Sequence, residues 1–219
     1  MNKEWTELNK TMQSQIKKKE TFSDGIETLF TLRNKLFDAL YELKSELSRD
    51  DFNAMPFITA DGYHNKTIAY SIWHIFRIED IVAHSLIQGD EQVFFAKNYQ
   101  QRIGAPIITT GNELVKEQIS DFSSLLNVEE LYHYIADVKN STDNIVSNLE
   151  FTDLKRKMTE EHKEHLKSLN VVSTDESAIW LIDYWCNKDV RGLMQMPFSR
   201  HWIMHIEASL RIKNKILKK

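Results

Sequence analysis

Eight histidines are spread along the 219 residues, and three of them sit where their chemistry could be pooled. His201 and His205 stand four apart in the segment His201-Trp-Ile-Met-His205. In a helix that spacing places both imidazoles on one face, a turn apart. At about 100° per residue they share the face with Phe198, Trp202, Ile206, Ser209 and Ile216, whereas Arg200, Arg211, Asn214 and Lys215 fall opposite. Both rings are therefore expected to point at the core. Buried ring nitrogens need partners, which leaves two readings. Either each ring is satisfied by its own hydrogen bond, or the two share a metal ion. The pair alone does not decide; a third inward ligand would.

The third candidate is His74, in the stretch Thr67-Ile-Ala-Tyr-Ser-Ile-Trp-His74-Ile-Phe-Arg-Ile-Glu79-Asp80. Residues 66 to 88 read as one helix that is apolar nearly all round, which places it centrally in a bundle. His74 shares a face with Thr67, Ser71, Ile78, Ile81 and Ser85, and the small hydroxylated neighbours leave room beside the ring. Three neutral imidazoles with an open fourth position make a catalytic zinc-type or nickel-type centre, whereas a structural zinc site closes with a fourth ligand, often a thiolate. Cys186, the single cysteine, is close enough in sequence to His201 to reach it, though no spacing demands this. Glu79 projects toward Ile72 and Leu86, an unusual direction for a carboxylate. Either something pairs with it, leaving it as a candidate base beside the metal, or its stem snorkels outward from a rim position. His84 projects with Arg77 and Asp80 onto the polar side of the helix and is expected to be solvated. A rival pair, Glu161-His162-Lys-Glu-His165, is set among Lys, Glu and Arg and reads as solvated surface.

The elements that must carry these side chains are long helices. Six Gly and three Pro leave few turns in a chain that is 42% hydrophobic, which favours helices over many short strands. Trp5, Leu8, Met12 and Ile16 mark an amphipathic helix within residues 1 to 20, read as an appendage over residues 1–21. Ser23-Asp24 is a candidate cap for a helix running to about Leu47. Asp50 to Asn65 is a loop, and Gly89 ends the central helix. Residues 91 to 111 combine a short aromatic helix (Phe94, Phe95, Tyr99) with a loop through Gly104, Pro106 and Gly111, the kind of segment that often carries specificity. A short helix over 112 to 126 follows, and Asn127-Val-Glu-Glu130 opens another that runs to Leu149. Asp175 caps a Trp-rich helix, and Gly192 and Pro197 are expected to break the chain before the last helix, which ends near Leu217. Residues 22–219 are read as one bundle domain.

These residues carry a resemblance. The His74 stretch resembles the first metal-histidine helix of the DinB-like (DinB/YfiT) superfamily, and His201-x-x-x-His205 resembles that superfamily's second ligand segment. The order of one histidine, a long gap and a four-spaced pair on the last helix matches over residues 22 to 217. The resemblance implies an all-α four-helix bundle with an up-down-down-up path and a long crossover, often a homodimer. It also implies His74, His201 and His205 as ligands of a divalent metal. Several members of that superfamily resemble S-transferases or isomerases that activate a low-molecular-weight thiol such as bacillithiol or mycothiol on the metal, and others look like metal-dependent hydrolases. A Lys-, Asn- and Ile-rich composition points to an AT-rich bacterial genome, for which the resemblance implies bacillithiol over mycothiol. The N-terminal helix and the 89–112 region make this chain longer than a minimal member.

Composition narrows the remaining classes. A net charge of −4 and a pI of about 6.1 give no electrostatic footprint for nucleic acid. The N-terminus lacks an apolar signal region, and no apolar run approaches the ~18 residues of a membrane span. With one cysteine the chain suits a reducing compartment, so the expectation is a cytoplasmic protein acting on a small molecule. A di-iron bundle needs two Glu-x-x-His segments, and only Glu130-Leu-Tyr-His133 fits. Serine-hydrolase and phosphate-loop motifs are missing. Three functional readings remain: a thiol-dependent S-transferase, a hydrolase using a metal-bound water, and a bundle that metal merely staples.

Overall fold

The computed structural model describes residues 2–218. Among them the chain is helical without a strand, one isolated bridge pairing Lys157 with Asp189. Helix α1 (Lys3–Gln15) starts where the Asn2 side chain accepts the Trp5 N–H, and Trp5, Met12 and the following Ile16 are buried. Helix α2 (Phe22–Glu46) begins one residue after Thr21, slightly ahead of the Ser23-Asp24 start expected from sequence. Helix α3 (Ile68–Asp80), capped by the Thr67 hydroxyl on the Tyr70 N–H, continues as π-helical turns through Ile81–Gln88 and stops at Gly89. Short helices α4 (Val93–Ala96), α5 (Tyr99–Ile103) and α6 (Glu117–Leu125) lead to α7 (Val128–Ser147), which Asn127 caps as the sequence indicates. Helices α8 (Glu160–Leu169), α9 (Glu176–Cys186) and α10 (Val190–Gln195) precede α11 (His201–Leu217).

The last helix starts at Pro197 as expected, whereas Gly192, expected to interrupt the chain, lies inside α10. A π-helical turn over Met196–Arg200 runs straight into α11. Pro197 sits at the start of that turn, where a missing N–H forfeits no intrahelical bond.

Pairs of contacts fix the direction of each long helix. Arg33 of α2 meets Glu79 of α3, and Phe37 meets Phe76, so α2 and α3 are antiparallel. Arg33 also meets Asp143 while Lys44 meets Glu129, so α7 runs opposite to α2. Trp73 packs on Tyr134 and His84 bonds Ser141, making α3 and α7 parallel. Arg33 reaches the Phe198 carbonyl and Lys213 reaches Glu46, which aligns α11 with α2. The result is an all-α four-helix bundle of α2, α3, α7 and α11 with an up-down-down-up path. Parallel α3 and α7 require a crossover, and residues 89–127 supply it.

The core lies in two apolar clusters, one around Leu36, Trp73 and Tyr134, the other around Leu29, Ile81 and Trp185. Buried charged and hydroxylated side chains, among them Arg33, Glu79 and Thr142, are fully enclosed and lie at the seam. No described helix is long and apolar enough to cross a membrane.

Helix α1 lies tightly on α2. A Cβ added at Gly25 would stand 2.6 Å from the Ile16 Cγ2. In an open helix Gly→Ala stabilises by about 1 kcal/mol, but here the methyl has no room. Gly25→Ala is expected instead to destabilise by about 1–3 kcal/mol, measured from the urea midpoint, with a smaller effect in an Ile16→Ala background.

Candidate metal centre

The antiparallel crossing of α3 and α11 brings the three inward histidines together. His74, His201 and His205 are all buried, and each offers a ring nitrogen within 4.8 Å of the others'. Ring centroids lie 5.0 Å apart for His74–His201, 4.8 Å for His74–His205 and 4.6 Å for His201–His205. Tyr70 stacks on His74 at 5.5 Å, and Tyr63 meets His205 edge-on at 4.9 Å.

The rings are prepared differently. His74 Nδ1 lies 2.8 Å from the Thr110 carbonyl oxygen. A carbonyl only accepts, so Nδ1 carries the hydrogen and Nε2 keeps a free lone pair. A carbonyl behind a metal-binding histidine is the usual means of fixing tautomer and ring orientation. His201 Nδ1 and His205 Nδ1 are buried with no hydrogen-bond partner among the protein groups, so no side chain or carbonyl satisfies either ring there. Two orphaned imidazole nitrogens and one oriented imidazole form a group that could hold a metal ion.

Electrostatics favours the same state. Burial lowers the His74 pKa to about 4, with the nearby Lys66 ammonium adding to the effect and the Thr110 carbonyl opposing it. Burial and the neighbouring imidazoles hold His201 and His205 well below the ordinary histidine value. All three rings are therefore neutral near pH 7, the form that binds metal. Cys186 stands apart from this group, in the Trp-rich helix, where burial pushes its thiol up.

The crossover, expected to be a specificity loop, supports the centre with its main chain. Besides the Thr110 carbonyl on His74, the Gly111 carbonyl accepts from the Tyr70 hydroxyl at 2.9 Å and the Ile108 carbonyl from Arg77 at 2.7 Å. Gly111 has φ +78°, and a Cβ there would lie 3.0 Å from Tyr70 Cε2. Only glycine meets both demands.

That crossover also corrects the reading of α3's polar side. Arg77, Asp80 and His84 are buried, not solvated. Asp80 accepts the Val93 and Phe94 N–H groups, both at 2.9 Å, and the Tyr134 hydroxyl at 2.9 Å. His84 bonds Asp90 at 2.6 Å and Ser141 at 3.0 Å. This order of groups matches a serine triad, but Ser141 lies inside α7, whose backbone N–H groups are spent within the helix and leave no oxyanion donor. It is a lock between α3 and α7. The pair His162 and His165 lies at the surface as expected, His162 accepting the Thr159 N–H at the start of α8.

Glu79 is the other correction. It is fully buried, not on a rim, and its partner is Arg33, a residue that the sequence reading passes over. The guanidinium meets both carboxylate oxygens, at 2.9 and 2.8 Å, donates to the Phe198 carbonyl at 3.0 Å and to Asp143 at 2.6 Å, and lies 4.5 Å over the Trp202 ring. Trp202 Nε1–H donates to Glu79 at 2.7 Å. Burial pushes the Glu79 carboxyl upward and Arg33 opposes it. With both oxygens engaged and no place on the cavity wall, Glu79 is no base. It clamps the helix of His74 to the helix of His201 and His205.

The histidines form part of the wall of a cavity of about 310 Å³ whose other walls include Tyr63, Asn112, Trp180, Tyr184, Met196 and Met204. No lysine, arginine, aspartate or glutamate is among the described residues that line it.

No family model and no curated protein sequence matches the chain. Among solved structures it is similar to a crystal structure described as the conserved protein of locus from Enterococcus faecalis, with a TM-score of 0.61 and 12% identity. The match covers 85% of this chain and 94% of the other. At that identity the likeness is one of fold.

Two outcomes are expected. Glu79→Ala, which strands a buried guanidinium, should destabilise by about 3–5 kcal/mol in chemical denaturation, and metal affinity should fall with it. Lowering pH between the unfolded histidine pKa and the His74 value should also weaken the metal-free protein, because the unfolded chain takes up protons there and the folded one does not. At about 1.4 kcal/mol per tenfold difference in proton affinity, His74 alone accounts for about 3 kcal/mol. The stability difference between wild type and His74→Gln should shift by that amount from pH 7 to pH 4 and change little above pH 7.

Proposed function

We propose that the protein is a metal-dependent enzyme of the DinB-like type, with His74, His201 and His205 holding one zinc or nickel ion, and that it transfers a small thiol to an electrophile. The observation that carries the metal reading is the pair of buried, unpartnered imidazole nitrogens beside a carbonyl-oriented third ring. A divalent ion in such a centre supplies Lewis acidity that lowers the pKa of a thiol or water bound to it.

The choice between thiol transfer and hydrolysis rests on what the chain puts around that centre. An attacking water, far less acidic than a thiol, gives up its proton to a base as the bond forms unless the metal has already ionised it. Among the described residues lining the cavity no carboxylate or lysine is available for this, and Glu79 is held by Arg33 and Trp202. A thiol can release its proton to solvent before the bond-forming step and needs no base during it. The chain's own tasks are then few. The three rings stay neutral, the Thr110 carbonyl fixes one of them, and the aromatic walls hold the electrophile and exclude water.

Protein purified without an affinity tag is expected to carry about one zinc or nickel per chain by elemental analysis. His74→Ala and His205→Ala should each lose it while keeping their helical circular dichroism. Cobalt substitution should give a visible spectrum that shifts saturably with added thiol. A wild-type protein that takes up no divalent ion would overturn the metal reading, and a cobalt spectrum indifferent to thiol would overturn the transferase.

A further inference from the structure

Metal ligands say little about what a site accepts; its walls say more. The cavity at the histidines is walled on one side by α9, which presents Trp180, Tyr184 and Trp185, and on another by Met196 and Met204. Beyond the histidines, the lining residues with polar side-chain groups are Asn112, Tyr63, Tyr184 and the two tryptophans. At about 310 Å³ it lies at the small end of the ~300–1,000 Å³ range of ligand pockets.

We propose that the cavity takes a compact, uncharged molecule with an aromatic or aliphatic body, seated against Trp180, Tyr184 and Trp185, with its reactive polar atom toward the histidines. This rests on the reading above only for what the polar end meets; the choice of body follows from the walls. Without a metal ion the described lining offers no lysine or arginine to an anionic ligand, and an unpaired buried charge costs several kcal/mol. The methionines suit this role, since a flexible, polarisable side chain packs against aromatic ligands of varied outline. Trp180 is 49% exposed and acts as a specificity residue at the mouth. Its indole N–H donates to the Ser177 carbonyl at 2.8 Å, which holds the ring's orientation from within its own helix.

The test uses the full chain and two probes of the same outline, para-fluorobenzyl alcohol and para-fluorobenzoate, followed by fluorine resonance of the probe. In metal-free protein the alcohol should bind saturably and at least about tenfold more tightly than the benzoate. Trp180→Ala should weaken the alcohol about fivefold, the worth of one aromatic contact. Ile179→Ala, an exposed neighbour outside the wall, should leave it unchanged. Equal or tighter binding of the benzoate, no saturable binding of the alcohol, or a Trp180→Ala variant with wild-type affinity would each overturn the proposal. A zinc titration run in parallel separates the two readings. Zinc uptake without alcohol binding sinks the ligand class alone, and alcohol binding without zinc uptake sinks the metal centre alone.

Discussion

The buried Arg33–Glu79 pair is the constraint on which the rest of the molecule hangs. An ion pair fully enclosed in a bundle gains little net stability over apolar packing, because desolvation consumes most of the attraction. What it supplies is register. Arg33 reads three helices at once: a carboxylate on α3, a carboxylate on α7, and a backbone carbonyl in the turn that opens α11. A slip of any of these helices by one residue would leave a charge or a carbonyl in the core without a partner. Greasy ridges alone tolerate such slips; this group does not.

Register matters because the candidate centre draws on two helices far apart in sequence. His74 comes from the middle of α3, His201 and His205 from the first turns of α11. Trp202, between the two histidines, donates to Glu79, which lies little more than a turn beyond His74. The clamp and the histidines therefore share the same pair of helices, and the clamp sets how those helices cross. The crossover then completes the arrangement from outside by presenting a carbonyl to the third ring. The centre is held by parts of the chain that never touch an ion.

Much of this was legible in the sequence, for identifiable reasons. The four-spaced histidines on an apolar face, the apolar helix around His74, the Asn127 cap and the stop at Gly89 all follow from local periodicity and end signals, and the structure places them accordingly. The histidine that was misread, His84, lies in π-helical turns. The face itself is right, since His84 lies 3.9 Å from Asp80, but Asp90 of the crossover and Ser141 of α7 cover it. Arg77 and Asp80, on the same polar side, are buried for the same reason. Their side of the helix is polar, and only the folded crossover shows that it is covered. Arg33 carries no sequence signal at all, since an arginine on an amphipathic helix is ordinarily at the surface. Its role could have been suspected only from Glu79, a carboxylate on an otherwise apolar helix that had to be paired.

The crossover has one more consequence, for how this protein would look beside its relatives. What residues 108 to 111 give the site is a row of backbone carbonyls, on Arg77, His74 and Tyr70. A carbonyl is the same whatever side chain follows it. What the site asks of positions 108 and 110 is therefore the path of the main chain, while the buried Thr110 and the core-packed Ile108 help to hold that path. Any relative that orients its histidine in this way needs that path, inherited as a shape and not as a string of letters.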